Sequence, residues 1–113
     1  MKNHNAKTLA KVLVSDLVEL DTNSSLNVVD LYARYTEKHV ALSNTTGMPP
    51  GCENLLDPVT FCKMLTGLGD VFVYCQSFEE GYTTKVYIPS SQISLDSLES
   101  AGDEIRVDGL RLI

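Results

Sequence analysis

The spacing of apolar residues along the chain changes near Asp70 from a helical period to an alternating one. Before that position, apolar residues recur every three or four positions in three separate stretches, the spacing that places side chains on one face of a helix. After it, apolar and polar residues mostly alternate, which is typical of strands with one buried face. The pattern therefore predicts three helices followed by a β-hairpin.

The first helix is predicted from Asn5 to Leu20, where a polar cluster at residues 21–24 ends it in a turn. Ser24 to Leu26 then form a brief strand. The apolar stripe of this helix consists of Leu9, Val12, Leu13, Leu17 and Leu20.

A second helix is predicted to begin after Asn27, whose side chain can accept a hydrogen bond from the first turn. The tyrosines of this helix are interpreted as packing residues with hydroxyls that reach the surface, rather than as a ligand cage. His39 is interpreted as a packing residue or a cation at the helix C-terminus, rather than as a catalytic base. The apolar face comprises Val28, Leu31, Tyr32, Tyr35 and His39.

Residues 41–56 are rich in Gly, Pro, Ser, Thr and Asn and are predicted to form a long loop, a place where a family-specific contact is expected. Asp57 and Pro58 are then predicted to start a third helix, as the N-cap and the first helical residue. Its apolar face holds Phe61, Met64, Leu65 and Leu68, and Gly67 and Gly69 end it.

Two alternating segments, 71–76 and 85–88, predict a hairpin that closes near Gly81. Beyond Ser90 the pattern predicts one helical turn over residues 94–100, with Leu95 and Leu98 inward. A second short hairpin is predicted at Asp108-Gly109, because Asp-Gly favours tight turns. Residues 5–90 therefore form the predicted core, and residues 91–113 form a C-terminal extension.

These elements predict a single α+β domain over residues 1–113. Their order is that of a winged helix: a three-helix, helix-turn-helix core with a β-hairpin wing. Such a domain presents one helix and one hairpin from a small core, an arrangement suited to recognition.

Charge and motifs narrow the function classes. The formal charge is −6, and ten acidic residues face only four basic ones beyond Gly51, which makes a poor surface for binding polyphosphate. The three cysteines form no C-x-x-C pair, so we expect free thiols in a reducing compartment and no metal site. Since no leader, no membrane-length apolar run and no catalytic motif is present, we expect a soluble intracellular protein that is not an enzyme and uses no cofactor.

The outward positions of the third helix and of the hairpin are the candidate contact residues. A single lysine on the helix and two glutamates at the hairpin turn disfavour independent binding to duplex DNA. Auxiliary DNA contact within a larger assembly would use Tyr82 with Lys85, or the basic group Lys2, Lys7 and Lys11, but a solvated charged face is the favoured interpretation of these residues. The candidates for DNA or partner contact are Thr60, Lys63, Thr66, Tyr82 and Lys85.

Four segments resemble the C-terminal winged-helix domain of the origin recognition and cell-division-cycle initiator ATPases of the AAA+ class. They are residues 9–14, residues 26–35 with the Leu-Tyr-x-x-Tyr sequence, residues 61–68 and residues 84–88. The resemblance implies a nuclear domain without catalytic activity that acts in origin recognition or licensing. Its partners would be other initiator subunits or the replicative helicase, with DNA as an auxiliary contact and no membrane.

Two other interpretations remain open. Residues 55–58 and 62–65 resemble the winged helices of endosomal sorting complex subunits, which are assembly modules on membranes. A free-standing transcription regulator is the third interpretation, and the low charge of the third helix disfavours it.

Overall fold

The computed structural model describes residues 5–45 and 47–113. These residues form a mixed α+β fold with four helices and one antiparallel sheet of four strands in the order β1-β4-β2-β3. No helix of the described residues is long and apolar enough to cross a bilayer. The elements are α1 (Asn5–Ser15), β1 (Val18–Asn27), α2 (Val28–Ser43), α3 (Pro58–Thr66), β2 (Phe72–Glu79), β3 (Tyr82–Tyr87), α4 (Leu95–Ala101) and β4 (Ile105–Leu112).

The first helix is shorter than predicted and the first strand is longer. α1 ends at Ser15 instead of Leu20, because residues from Val18 onward pair with β4. The predicted turn at residues 21–24 lies inside β1 as an irregularity, where the pairing register shifts between Leu20 and Ser25. There the Asp21 carboxylate accepts hydrogen bonds from the Asn23 backbone and the Ser24 hydroxyl. The predicted hydrogen bonding of a polar side chain to the local backbone is present. It does not end the element, because β1 pairs with β4 on both sides of it.

The second helix and its apolar face are confirmed. Asn27 caps α2 by accepting from the Asp30 N–H at 3.0 Å, and Leu31, Tyr35 and His39 are buried. The prediction that the tyrosine hydroxyls reach the surface is wrong for Tyr35, which is fully buried and binds the loop described next.

The long loop between α2 and α3 is present and is tied to α2 at two points. The Tyr35 hydroxyl accepts from the Leu56 N–H at 3.0 Å, and the Tyr32 hydroxyl donates to the Leu56 carbonyl at 2.6 Å. His39 Nε2 donates to the Cys52 carbonyl at 2.9 Å. Since both backbone groups of Leu56 are satisfied by tyrosines, the loop can enter the core without leaving buried polar atoms unpaired.

The third helix begins and packs as predicted. Asp57 accepts from the Thr60 N–H, and Pro58 occupies the first helical position. Phe61 and Leu65 are fully buried, and the Phe61 ring stacks on Tyr35 at 5.1 Å between centroids. The hairpin is also confirmed: β2 and β3 are joined by Glu80 and Gly81, whose positive φ angles of 49° and 85° form the tight turn that suits twisted strands.

The C-terminal segment differs most from the prediction. Asp108-Gly109 do not form a hairpin but lie inside the single strand β4, and Leu95 points outward with 60% of its surface exposed. Only Leu98 of the predicted pair packs against the core. Residues beyond Ser90 are part of the core rather than an extension from it, and those that are buried there are Ile93, Ala101, Ile105, Val107 and Leu110.

Gly109 allows the backbone of β4 to approach Asp70 closely within the sheet. Its φ of 102° is accessible at low cost to glycine alone. A Cβ at this position would collide with the Asp70 carbonyl oxygen. We therefore expect Gly109→Ala to lower the free energy of unfolding by about 3 kcal/mol or more, since backbone strain and a backbone clash add.

The matched control is Gly81→Ala, where φ is 85° and no atom lies within 4 Å of the added Cβ. In this variant the free energy of unfolding should fall only by the cost of the backbone strain, about 1–2 kcal/mol. Urea unfolding of both variants measures the difference, and equal losses would show that the close approach of β4 to Asp70 is not formed.

Candidate interaction surface on the hairpin

The five predicted contact residues lie in two separate groups. Thr60, Lys63 and Thr66 are on α3, and Tyr82 and Lys85 are on β3. The two threonines are occupied within the helix and its cap, since the Thr60 hydroxyl donates to the Asp57 carboxylate at 2.8 Å and the Thr66 hydroxyl donates to the Lys63 carbonyl at 2.7 Å. Lys63 is therefore the exposed side chain of this group that carries charge.

Lys7 and Lys11 of the predicted basic group lie on α1 and are exposed. Lys2, the third member, lies outside the described residues. With two lysines on one helix, this face fits a solvated charged surface as well as a contact surface.

The hairpin of β2 and β3, which we call the wing, is exposed at its turn and along its outer strand. Every residue of β3 is exposed. Beside the turn, Phe78 and Tyr82 leave 66% and 72% of their surfaces exposed, and Glu79 and Glu80 lie next to them. Large apolar rings at a projecting tip are a usual feature of protein contact surfaces.

Lys85 is held by the rest of the sheet. Its ammonium lies 3.4 Å from the Asp108 carboxylate and 4.8 Å from the centre of the Tyr74 ring. Desolvation lowers the pKa of Lys85, but the hydrogen bond and the charge of Asp108 outweigh it, so the pKa lies above its ordinary value. The only cation of the wing is thus paired, which reduces what it can offer to a phosphate.

Tyr87 is bound to the same carboxylate. Its hydroxyl donates to Asp108 at 2.7 Å, and this hydrogen bond raises the pKa of the phenol because it stabilises the neutral form. Strand pairing places these side chains on one side of the sheet, because opposed residues share a face. We call this side the outer face; it bears Phe72, Tyr74, Lys85, Tyr87, Arg106 and Asp108.

A small apolar cavity of about 170 Å³ opens where the N-terminal ends of α2 and α3 meet α4. Val29, Tyr32, Phe61 and Leu98 are among its lining residues, together with the buried Cys62. Burial raises the pKa of the Cys62 thiol to about 11, so this thiol remains protonated at neutral pH and is a poor nucleophile. The described residues contain no group of three side chains suited to hold a metal ion.

Sequence reasoning placed Tyr82 and Lys85 on the wing but missed Asp108. It also missed the exposed rings of Phe72 and Phe78, which the alternating pattern alone could not assign to an outer face. Asp108 was interpreted as a turn residue, and no local signal indicates that it reaches Lys85, 23 positions away.

Comparison with known proteins finds no matching family, no similar curated protein and no similar solved structure. The geometry of the wing is therefore the basis for the function proposed below.

Replacing Asp108 with asparagine should release both side chains that it holds. The pKa of the Tyr87 phenol should fall toward its ordinary value, because the carboxylate that opposes phenolate formation is gone, and the pKa of Lys85 should fall as well. NMR titration of the tyrosine and lysine side chains measures both shifts.

Asp70→Asn is the matched control, since Asp70 lines the same surface hollow as Tyr87 and Asp108 but has no ion pair with Lys85. It should leave both pKa values unchanged. If Asp108→Asn leaves them unchanged too, the three-residue cluster does not exist in solution.

Proposed function

We propose that this chain is a non-catalytic winged-helix domain that acts in DNA replication initiation, in origin recognition or licensing in the nucleus. The order of its first six elements, α1-β1-α2-α3-β2-β3, supports this proposal, because it is the order expected of a helix-turn-helix core followed by a hairpin. The added strand β4 lies between β1 and β2 and leaves the wing free.

The charges and exposed rings of the wing are the basis for the proposed class of partner. Lys85 is its one basic residue, and the lysine is neutralised by Asp108, while the tip combines Glu79 and Glu80 with two exposed rings. Such a surface repels phosphates and offers apolar area to another protein. The domain therefore acts chiefly through protein contacts, with other initiator subunits or the replicative helicase as partners.

DNA contact is auxiliary in this proposal. Lys63 on α3 is exposed and can meet a phosphate when other subunits hold the duplex nearby. One such contact neutralises one phosphate, which contributes little affinity alone.

The test compares the wing with α3 in binding to reconstituted initiator subunits and helicase. Tyr82→Ala should weaken the binding at least about tenfold, the loss typical when an exposed aromatic anchor is removed. Charge reversal by Lys63→Glu should change it less than about twofold, since a rim charge contributes little. Isothermal titration calorimetry measures both, and circular dichroism checks that each variant is folded.

The same variants are then tested on a short DNA duplex at several salt concentrations. We expect weak binding with a shallow dependence on salt, equivalent to about one or two displaced counterions. Tight duplex binding with a steep salt dependence, abolished by Lys63→Glu, would contradict the protein-contact proposal.

A further inference from the structure

The outward edge of β3 is an open row of backbone hydrogen-bonding groups. β3 is the last strand of the sheet, and its pairing with β2 starts at Glu79 and Tyr82 beside the two-residue turn. Hydrogen-bonded and non-bonded pairs alternate from such a turn, so Tyr82, Thr84 and Val86 bond to β2. The Ile88 N–H continues this series, bonding to Val73 at 2.9 Å. The backbone groups of Thr83, Lys85 and Tyr87 therefore point away from the sheet.

This edge lacks the features that usually prevent strand association. Proteins protect sheet edges with bulges, prolines or charged side chains that cover the backbone. The other edge strand, β1, has a register irregularity between Leu20 and Ser25, whereas β3 pairs with β2 without a shift. β3 itself contains no proline, and the nearest one, Pro89, lies beyond its end.

The long side chains of β3 point back over the sheet and therefore do not cover the outward edge of this strand. Both Lys85 and Tyr87 reach back across β2 to bind Asp108 on β4, and the Lys85 ammonium lies over the Tyr74 ring on the way. The one charge on β3 is thus drawn inward over the sheet. No residue in the described part of the chain covers the backbone at this edge.

We propose that β3 pairs in antiparallel fashion with β3 of a second copy of this chain, so that two four-stranded sheets join into one. The inference rests on the proposed role of the wing as a contact surface, but not on its place in replication. It identifies the occupant of the edge as the same strand, because β3 can pair with itself without placing like charges opposite each other.

The register follows from symmetry. Two antiparallel copies of one strand are related by a two-fold axis perpendicular to the sheet. The axis passes midway between the two copies of one residue, which therefore lie opposite each other. An axis at Thr84 places Tyr82 opposite Val86 of the second copy and Thr83 opposite Lys85 of the second copy. The first pair joins an aromatic to a β-branched side chain, which is favourable. The second pair joins an uncharged to a charged side chain, which brings no repulsion.

The neighbouring register is unfavourable. An axis at Lys85 would place two lysines directly opposite each other, which destabilises strand pairing. The Thr84 register also separates the acidic turns, because antiparallel wings point in opposite directions and Glu79 and Glu80 of the two copies lie at opposite ends of the interface. The net charge of −6 on each copy is therefore not concentrated at the contact.

The first experiment measures the mass of the full chain by sedimentation between about 1 and 500 µM, the range suited to a small interface. We expect a reversible dimer. Thr83→Pro removes an outward N–H without touching a bond to β2, and it should raise the dimer dissociation constant at least tenfold. Thr83→Val keeps the N–H and should change the constant less than threefold.

The second experiment fixes the register by cross-linking in a Cys75→Ser background, which removes the one cysteine that is not fully buried. Thr84→Cys should form a disulfide-linked dimer when an oxidant is added, since opposed residues of a non-hydrogen-bonded pair lie about 4.5 Å apart between Cα atoms. Thr83→Cys faces a lysine in this register and should cross-link at least tenfold more slowly.

A chain that stays monomeric throughout and does not cross-link at Thr84→Cys overturns the inference, as does a dimer that survives Thr83→Pro unchanged. The replication proposal fails separately, if calorimetry shows no binding of the intact chain to initiator subunits or helicase. A monomer that binds initiator subunits through Tyr82 contradicts only the dimer proposal. A dimer that does not bind those subunits contradicts only the proposed role in replication.

Discussion

The sheet is held together by one strand that comes last in the sequence. Residues 106–108 of β4 are paired on both sides: Val107 faces Leu26 of β1 and Val73 of β2, and Asp108 faces Ser25 and Phe72. No pairing joins β1 directly to β2 or β3 among the described strands. The wing is therefore connected to the remainder of the sheet through β4, and α3 supports it from the helical side through packing with β2.

The same strand sets the electrostatics of the wing. Asp108 uses its backbone in the ladder and its carboxylate to hold Lys85 and Tyr87 from two strands away. This removes a free cation from a surface that already carries Glu79 and Glu80, and it draws two long side chains away from the outer edge. In the proposed function this one residue favours a protein over a nucleic acid as the partner, and in the proposed dimer it leaves backbone groups free for strand pairing.

The sequence permitted correct prediction of features that depend on near neighbours. The caps at Asn27 and Asp57, the apolar faces of α2 and α3, and the turn at Gly81 are all local signals, and each is present. Asp108-Gly109 carries an equally strong local signal for a turn, but its conformation is decided by pairing with Ser25, 83 positions earlier. Such distant pairing is invisible to periodicity, so the strand and the contacts of Asp108 in the candidate site were missed together.

Native-state hydrogen exchange tests the central place of β4 most directly. If β4 joins the two parts of the sheet, the Val107 amide can exchange only when the whole domain unfolds, and it should be among the slowest in the protein, together with Val73. Exchange at Val107 that is markedly faster than at Phe61 or Leu65 in α3 would contradict the account, because it would show that β4 detaches while the helices remain folded.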